Sequence, residues 1–127
     1  MKKLKTVKIS NDVSVSLFVW DSNNKEDIKK MKVRFPKRVK KRGPNAFSER
    51  YSGFFMTETR EEWVIGINTG GKKDPVKNAL PHELCHMSDV VADLLGKELI
   101  ESSELRSTLL GDTYEELSEV LEEELQG

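Results

Sequence analysis

This sequence has few cysteines and no long apolar run, and each absence narrows what the protein can be. Its single cysteine, Cys85, has no partner for an internal disulfide, and a zinc site built on paired cysteines is excluded as well. No stretch of about 18 apolar residues is present, which argues against a transmembrane helix. The cationic start MKKLKTVKIS lacks the apolar region of a signal peptide. We therefore expect a cytoplasmic protein.

The composition, with 36% hydrophobic and 34% charged residues, predicts one globular domain over residues 1–127. The net charge of −1 is unevenly distributed. Acidic residues dominate from Glu98 to the end, whereas residues 34–42 hold six basic side chains: Arg34, Lys37, Arg38, Lys40, Lys41 and Arg42. Such a run is typical of a solvated surface, and it also suits an acidic protein or nucleic-acid partner.

The first two thirds of the chain consist of short apolar and mixed segments, and the first two of these alternate apolar and polar residues. LKTVKIS and VSVSLFVW predict a β-hairpin, and residues 24–35 predict a short amphipathic helix ended by Pro36. The basic segment that follows is expected to be a loop. Two further strands are predicted over 53–57 and 62–68.

The remainder is predicted to be helical. An N-cap at Asn78 places Pro81 in the first turn, where its missing N–H costs nothing, and Gly96 ends this helix. A second helix is expected from Ser102 or Ser103 to about Leu125. The fold class is therefore α+β, with a small, mostly antiparallel sheet packed on these two helices.

Both histidines of the chain lie in LPHELCHMSD, four positions apart. In a helix, His82 and His86 share one face and can bind one cation, while Glu83 lies to the side, within reach of a water on that cation. This H-E-x-x-H pattern is typical of a zinc site with two histidine ligands and a glutamate general base. Cys85, between the ligands, is expected to face the core.

A catalytic zinc needs a third protein ligand, and several downstream carboxylates are candidates: Asp89, Asp93, Glu98, Glu101, Glu104, Glu115 and Glu116. Asp89 and Asp93 continue the histidine stripe but move away along the helix axis. They suit hydrogen bonds to the imidazoles, or plain solvent exposure, better than ligation.

Glu104 is favoured by a packing argument. It heads a stripe of small residues, Ser107, Gly111 and Ser118, which would let the last helix approach the zinc helix closely. Alternatively, Gly111 and Asp112 break the helix and Asp112 caps a new one with Glu115, which would make Glu115 or Glu116 the next candidate.

The run from HELCH through Gly96 to SELRSTLLG resembles the gluzincin arrangement of zinc metallopeptidases, and more closely a group of small, mostly phage-encoded H-E-x-x-H proteins. The resemblance covers about the last half of the chain. It implies a minimal zincin-like fold, Zn²⁺ on His82, His86 and Glu104, and Glu83 as base; a phage origin would place the protein in the host cytoplasm. Ser107 and Thr108 depart from the Ala-Tyr of that group.

Two functional hypotheses follow. The first is a zinc-dependent hydrolase acting on a peptide or protein, with WVIGIN as an edge strand that pairs with the extended substrate. The second is a zinc-containing module with little or no proteolytic activity, which binds an acidic protein or nucleic acid through residues 34–42. Trp63, Tyr51 and Tyr114 are assigned to packing.

Overall fold

The computed structural model describes residues 1–95 and 103–127, with the side chains of 1–93 and 109–127. The sheet has four described strands: β1 (Lys2–Lys8), β2 (Ser14–Trp20), β3 (Gly53–Thr57) and β4 (Glu62–Asn68). Their order across the sheet is β1-β2-β4-β3. The hairpin pairs β1 with β2, and β3 pairs antiparallel with β4, so the single parallel pairing is β2 with β4.

The described helices flank the sheet. Helices α1 (Lys25–Arg34) and α2 (Pro36–Arg42) lie between β2 and β3 in the chain. A π-helical turn (Pro75–Ala79) leads directly into α3 (Leu80–Leu95), and α4 (Ser103–Gln126) completes the described chain. The α+β class and the mostly antiparallel sheet are confirmed.

The two central strands bury both faces because their side chains alternate between two apolar clusters. Residues 15, 17 and 19 of β2 pack with α3 and α4, around Leu84, Met87, Leu117 and Leu121. Phe18 and Trp20 turn the other way and pack with Met31 and Phe35 near α1. The Trp20 indole donates a hydrogen bond to the Phe47 carbonyl at 2.9 Å, which fixes the segment between α2 and β3 beneath the sheet.

Two predictions about the first half of the chain are corrected. Strand β4 is central rather than at the edge, because β2 and β3 cover its two sides. The basic segment is helix α2 rather than a loop; Pro36 stands at its N-terminus, where a missing N–H is harmless, and Gly43 ends it with a φ of 85°.

The helix that carries the two histidines also begins earlier than predicted. Its N-cap is Asp74, whose carboxylate accepts hydrogen bonds from the amides of Val76 and Lys77 at 3.0 and 2.9 Å, rather than Asn78. Pro81 therefore lies one turn inside a continuous helical segment. The π turn accommodates it. In the i→i−5 register of that turn, an N–H at residue 81 would donate to the Val76 carbonyl, but proline has no N–H. The Tyr114 hydroxyl donates to that carbonyl instead, at 3.3 Å.

None of the helices in the described ranges is both long enough and apolar enough to cross a membrane.

Candidate metal centre

The three residues of the H-E-x-x-H pattern come together on the first turns of α3. His82 and His86 are exposed, and their Nε2 atoms are 3.2 Å apart. One ligand atom from each of His82, Glu83 and His86 falls within 4.8 Å of the others. Among the described residues, this is the one group of three or more such side chains that could hold a metal ion.

The separation of the two imidazole nitrogens suits a shared cation. Two nitrogens 3.2 Å apart, each about 2.05 Å from one zinc ion, would subtend about 103° at the metal, close to the tetrahedral angle. The same distance also suits a hydrogen bond in which one ring donates to the other. The two arrangements differ in protonation: a shared cation needs the lone pairs of both nitrogens, whereas a hydrogen bond needs a proton on one of them. Two imidazoles beside a carboxylate are a donor set that zinc accepts.

Glu83 differs from the histidines in being buried, with 4% of its surface exposed. Its side chain lies against Gly53 of β3, where an added Cβ would be 3.2 Å from the Glu83 Cγ. Burial raises the pKa of the Glu83 carboxyl above its ordinary value, and the nearby His82, His86 and Arg38 only partly oppose this effect. A carboxyl with a raised pKa is a better proton acceptor than one on the open surface.

An open cleft of about 470 Å³, here called the edge cleft, passes the triad along β3. One wall is α3, with His82, Glu83, His86 and Asp89, and the floor includes residues 53–55. The opposite wall is the basic face of α2, with Arg38, Lys41 and Arg42. The basic segment and the histidine motif, which the sequence analysis treated separately, therefore line the same cleft.

Arg38 is the most firmly held of these basic residues. Its Nε donates to the Ala46 carbonyl at 3.3 Å, and its guanidinium lies 4.6 Å from the Phe54 ring centre and 4.9 Å from that of Tyr51. Burial and the neighbouring Arg42 lower the Arg38 pKa from its ordinary value, while Tyr51 and Glu83 oppose the shift. A guanidinium remains charged at neutral pH, so a fixed positive charge faces the triad.

The segment before β3 is tied down by Asn68, which is fully buried. The Asn68 side chain donates to the Tyr51 carbonyl at 3.0 Å and accepts from the amides of Ser22 and Gly70 at 3.1 and 2.9 Å. The bonds to Tyr51 and Ser22 join the end of β4 to two distant loops, whereas the bond from Gly70 is local. Asn68 therefore fixes where Tyr51 and Gly53 enter the cleft beside Glu83.

The proposed third ligands meet different outcomes. Asp89 and Asp93 are exposed on α3, and neither belongs to the metal-binding group; Asp89 does line the edge cleft. The side chain of Glu104 lies outside the described residues, as do Glu98 and Glu101. Glu104 stays a prediction.

The packing argument for Glu104 assumed that Gly111 lies in a close contact between two helices, and this is wrong. That residue is exposed, and an added Cβ there would meet no described atom within 4 Å. Helix α4 instead packs through Leu117 and Leu121, which are both fully buried. The alternative of a helix break is also wrong, because α4 runs unbroken through Gly111 and Asp112. Glu115 and Glu116 are exposed, and neither belongs to the metal-binding group.

The structure also shows the surroundings of three further side chains that the sequence singled out, Cys85, Trp63 and Tyr114. Cys85 is exposed rather than facing the core. Trp63 packs in the core, with its ring edge-to-face against Phe55 at 5.8 Å. Tyr114 bonds to the π turn, so its assignment to packing is confirmed.

Gly53 and Asn68 were missed as site residues, and Arg38 was predicted only as one member of the basic segment 34–42. A signal for Arg38 was its place in the basic run, but no local pattern distinguishes it from Lys37 or Lys40. Gly53 begins one predicted strand and Asn68 ends the other, and their roles depend on residues distant in the chain.

Comparison with known proteins brings no relative: no protein-family model, curated protein or solved structure matches this chain.

Proposed function

We propose that this protein is a zinc-dependent hydrolase, a peptidase of zincin type, with His82 and His86 as ligands and Glu83 as the general base. The observation that carries the proposal is the arrangement on α3: two Nε2 atoms 3.2 Å apart beside one buried carboxyl, all opening onto a cleft. Glu104, near the start of α4, is proposed as the third ligand on the resemblance to gluzincins.

The residues divide the chemistry between them. Zinc bound at the histidines would lower the pKa of a bound water towards about 7 and polarise a carbonyl group. Glu83 would accept the proton of that water and deliver it to the leaving amine nitrogen. Its burial against Gly53 holds the carboxyl in one place while the proton moves.

The edge cleft supplies a place for the peptide. Strand β3 is at the end of the sheet, next to the triad, so it takes the substrate-pairing role that the sequence analysis gave to WVIGIN. Main-chain hydrogen bonds to such an edge bind an extended peptide independently of its sequence.

A metal-containing binding module is the second candidate, and one observation favours it. Arg38, Lys41 and Arg42 line the same cleft as the histidines, so a partner could be held there without being cleaved. The two candidates agree on where the ligand binds and differ in whether a bond is broken.

Hydrolysis assays on a defined peptide mixture test the proposal. The protein is stripped with a chelator, reloaded with zinc, and new N-termini are measured by mass spectrometry. We expect cleavage only after reloading, and a fall of at least about 10²-fold in Glu83→Gln, which keeps the size of the side chain but cannot accept the proton.

Zinc content measured in the same Glu83→Gln sample separates the roles. Retained zinc with lost cleavage supports Glu83 as base. Loss of zinc would show that Glu83 is a ligand. Zinc binding without any cleavage by the unaltered protein would favour the metal-containing binding module over the hydrolase.

A further inference from the structure

The outer side of β3 offers main-chain groups to a partner. The Asn68 amide donates to the Ser52 carbonyl at 2.9 Å, and the Glu58 amide donates to the Glu62 carbonyl at 3.0 Å. Because bonding alternates along an antiparallel pair, the N–H and C=O groups of Gly53, Phe55 and Thr57 point away from β4. No described strand pairs with them there.

A peptide added along this edge would place its side chains alternately on the two sides of the sheet. On one side it meets α3, with His82, Glu83 and His86. On the other side it meets α2, with Arg38, Lys41 and Arg42. The triad and the basic wall thus face successive residues of the same bound chain.

The charge of the groove is mostly positive. A second cleft, of about 380 Å³, shares Tyr51, Gly53, His82 and Glu83 with the edge cleft, and it adds Arg50 and Lys73. The acids that line the two clefts are Glu83 and Asp89. Five basic residues along a groove with two acids favour an acidic ligand.

An extended peptide fits these features better than a nucleic acid does. An edge strand provides the alternating donors and acceptors of a peptide main chain. Sequence-tolerant binding of single strands needs open aromatic faces on which bases can stack. The Tyr51 ring beside the triad is instead approached by the guanidinium groups of Arg38, Arg42 and Arg50, at 4.9, 6.0 and 5.9 Å.

We propose that the ligand of this cleft is an acidic segment of a protein, bound in extended form along the outer edge of β3, with an Asp or Glu side chain on the α2 wall. This inference rests on the proposed function for its account of cleavage, but the binding it describes can be measured separately. Lys41 and Arg42 set the specificity, and Arg38 provides the fixed charge between them and the triad.

The test compares matched charge reversals on one helix. Lys41→Glu/Arg42→Glu reverses two charges of the wall, whereas Lys37→Glu/Lys40→Glu makes the same change on exposed α2 residues that do not line the edge cleft. Fluorescent peptides with two glutamates, and the same peptides with glutamines, are the ligands. Anisotropy measures binding to zinc-loaded Glu83→Gln protein, which holds the substrate without cutting it.

We expect the protein to bind the glutamate peptides several-fold to about tenfold more tightly than the glutamine peptides, since each of the two glutamates can pair with a basic side chain of the groove. Lys41→Glu/Arg42→Glu should remove this preference, and Lys37→Glu/Lys40→Glu should keep it. Thermal melting confirms that all variants are folded.

Two results with the peptides would overturn the inference: equal binding of both peptides, or a preference that both double variants lose equally. Tighter binding of a single-stranded oligonucleotide of matched charge would also overturn it. The proposed hydrolase fails on different evidence, because a protein that binds the acidic peptides through Lys41 and Arg42 but cleaves none supports the docking inference and counts against the enzyme.

Discussion

Glu83 packs against the one residue of β3 that has no side chain: a Cβ at Gly53 would lie 3.2 Å from the Glu83 Cγ and 2.7 Å from the Gly66 carbonyl oxygen. Both distances are shorter than ordinary contacts, and the second one involves backbone that cannot rotate away. The position of the proposed general base therefore depends on a glycine in the neighbouring strand.

Gly53→Ala should accordingly destabilise the fold by about 1–3 kcal/mol and move Glu83. Since a small displacement of a catalytic group is costly, we expect hydrolysis to fall roughly 10- to 100-fold while zinc stays bound. Urea unfolding and zinc content measure the two effects. Gly71→Ala is the matched control, because a Cβ at Gly71 meets nothing closer than 3.4 Å; similar losses in both variants would contradict the argument.

The second prediction is that zinc binding depends on both histidines. Purified protein should hold about one zinc per chain, and His82→Ala or His86→Ala should each abolish it, because one imidazole cannot keep the site. Elemental analysis measures the content. Cys85→Ser should retain its zinc, since the exposed thiol lies outside the metal-binding group. Full retention in either histidine variant would mean that the 3.2 Å contact is a hydrogen bond between rings.

The aromatic layer under β3 depends on another glycine. Phe54 pairs with Gly66 across the strands, and a Cβ at Gly66 would lie 2.2 Å from the Phe54 ring. Gly66→Ala should therefore cost about 1–3 kcal/mol in the free energy of unfolding. In a Phe54→Leu background, which removes the ring edge, the same substitution should cost clearly less. A double-mutant cycle by urea denaturation measures the difference, and additive costs would show that the ring is not the obstacle.

Local patterns predicted the elements better than their contacts. The short apolar runs in 53–57 and 62–68, separated by the polar residues 58–61, predicted β3 and β4 at their observed bounds. The parallel pairing of Ser14 with Glu62 could not be predicted in that way, since it depends on how the chain between them folds back. The same holds for the central position of β4.

Helix α2 and its role were beyond local reasoning as well. The segment PKRVKKR has five basic residues and one apolar residue, Val39, so no amphipathic stripe indicates a helix. Arg38 is half-buried because the rings of Phe54 and Tyr51, from a later part of the chain, cover its guanidinium. The histidine motif was readable because its spacing within one helix sets its geometry.

The third ligand is the remaining prediction about the site. The packing argument for it is wrong, since Gly111 is exposed and α4 packs through Leu117 and Leu121 instead. The resemblance to gluzincins still assigns the ligand to Glu104. We expect Glu104→Ala to weaken zinc binding strongly, by leaving two protein ligands in place of three.

Exposed glutamates on the same helix provide the controls. Glu115→Ala and Glu116→Ala should bind zinc as the unaltered protein does, because neither side chain belongs to the metal-binding group. Gly111→Leu should leave zinc affinity unchanged too, since the added side chain enters open space rather than a helix contact. Competition titrations with a zinc-binding dye rank the four variants. Normal affinity in Glu104→Ala would show that this glutamate is not a ligand, and the carboxylates of 98 and 101 would then be tested in the same way.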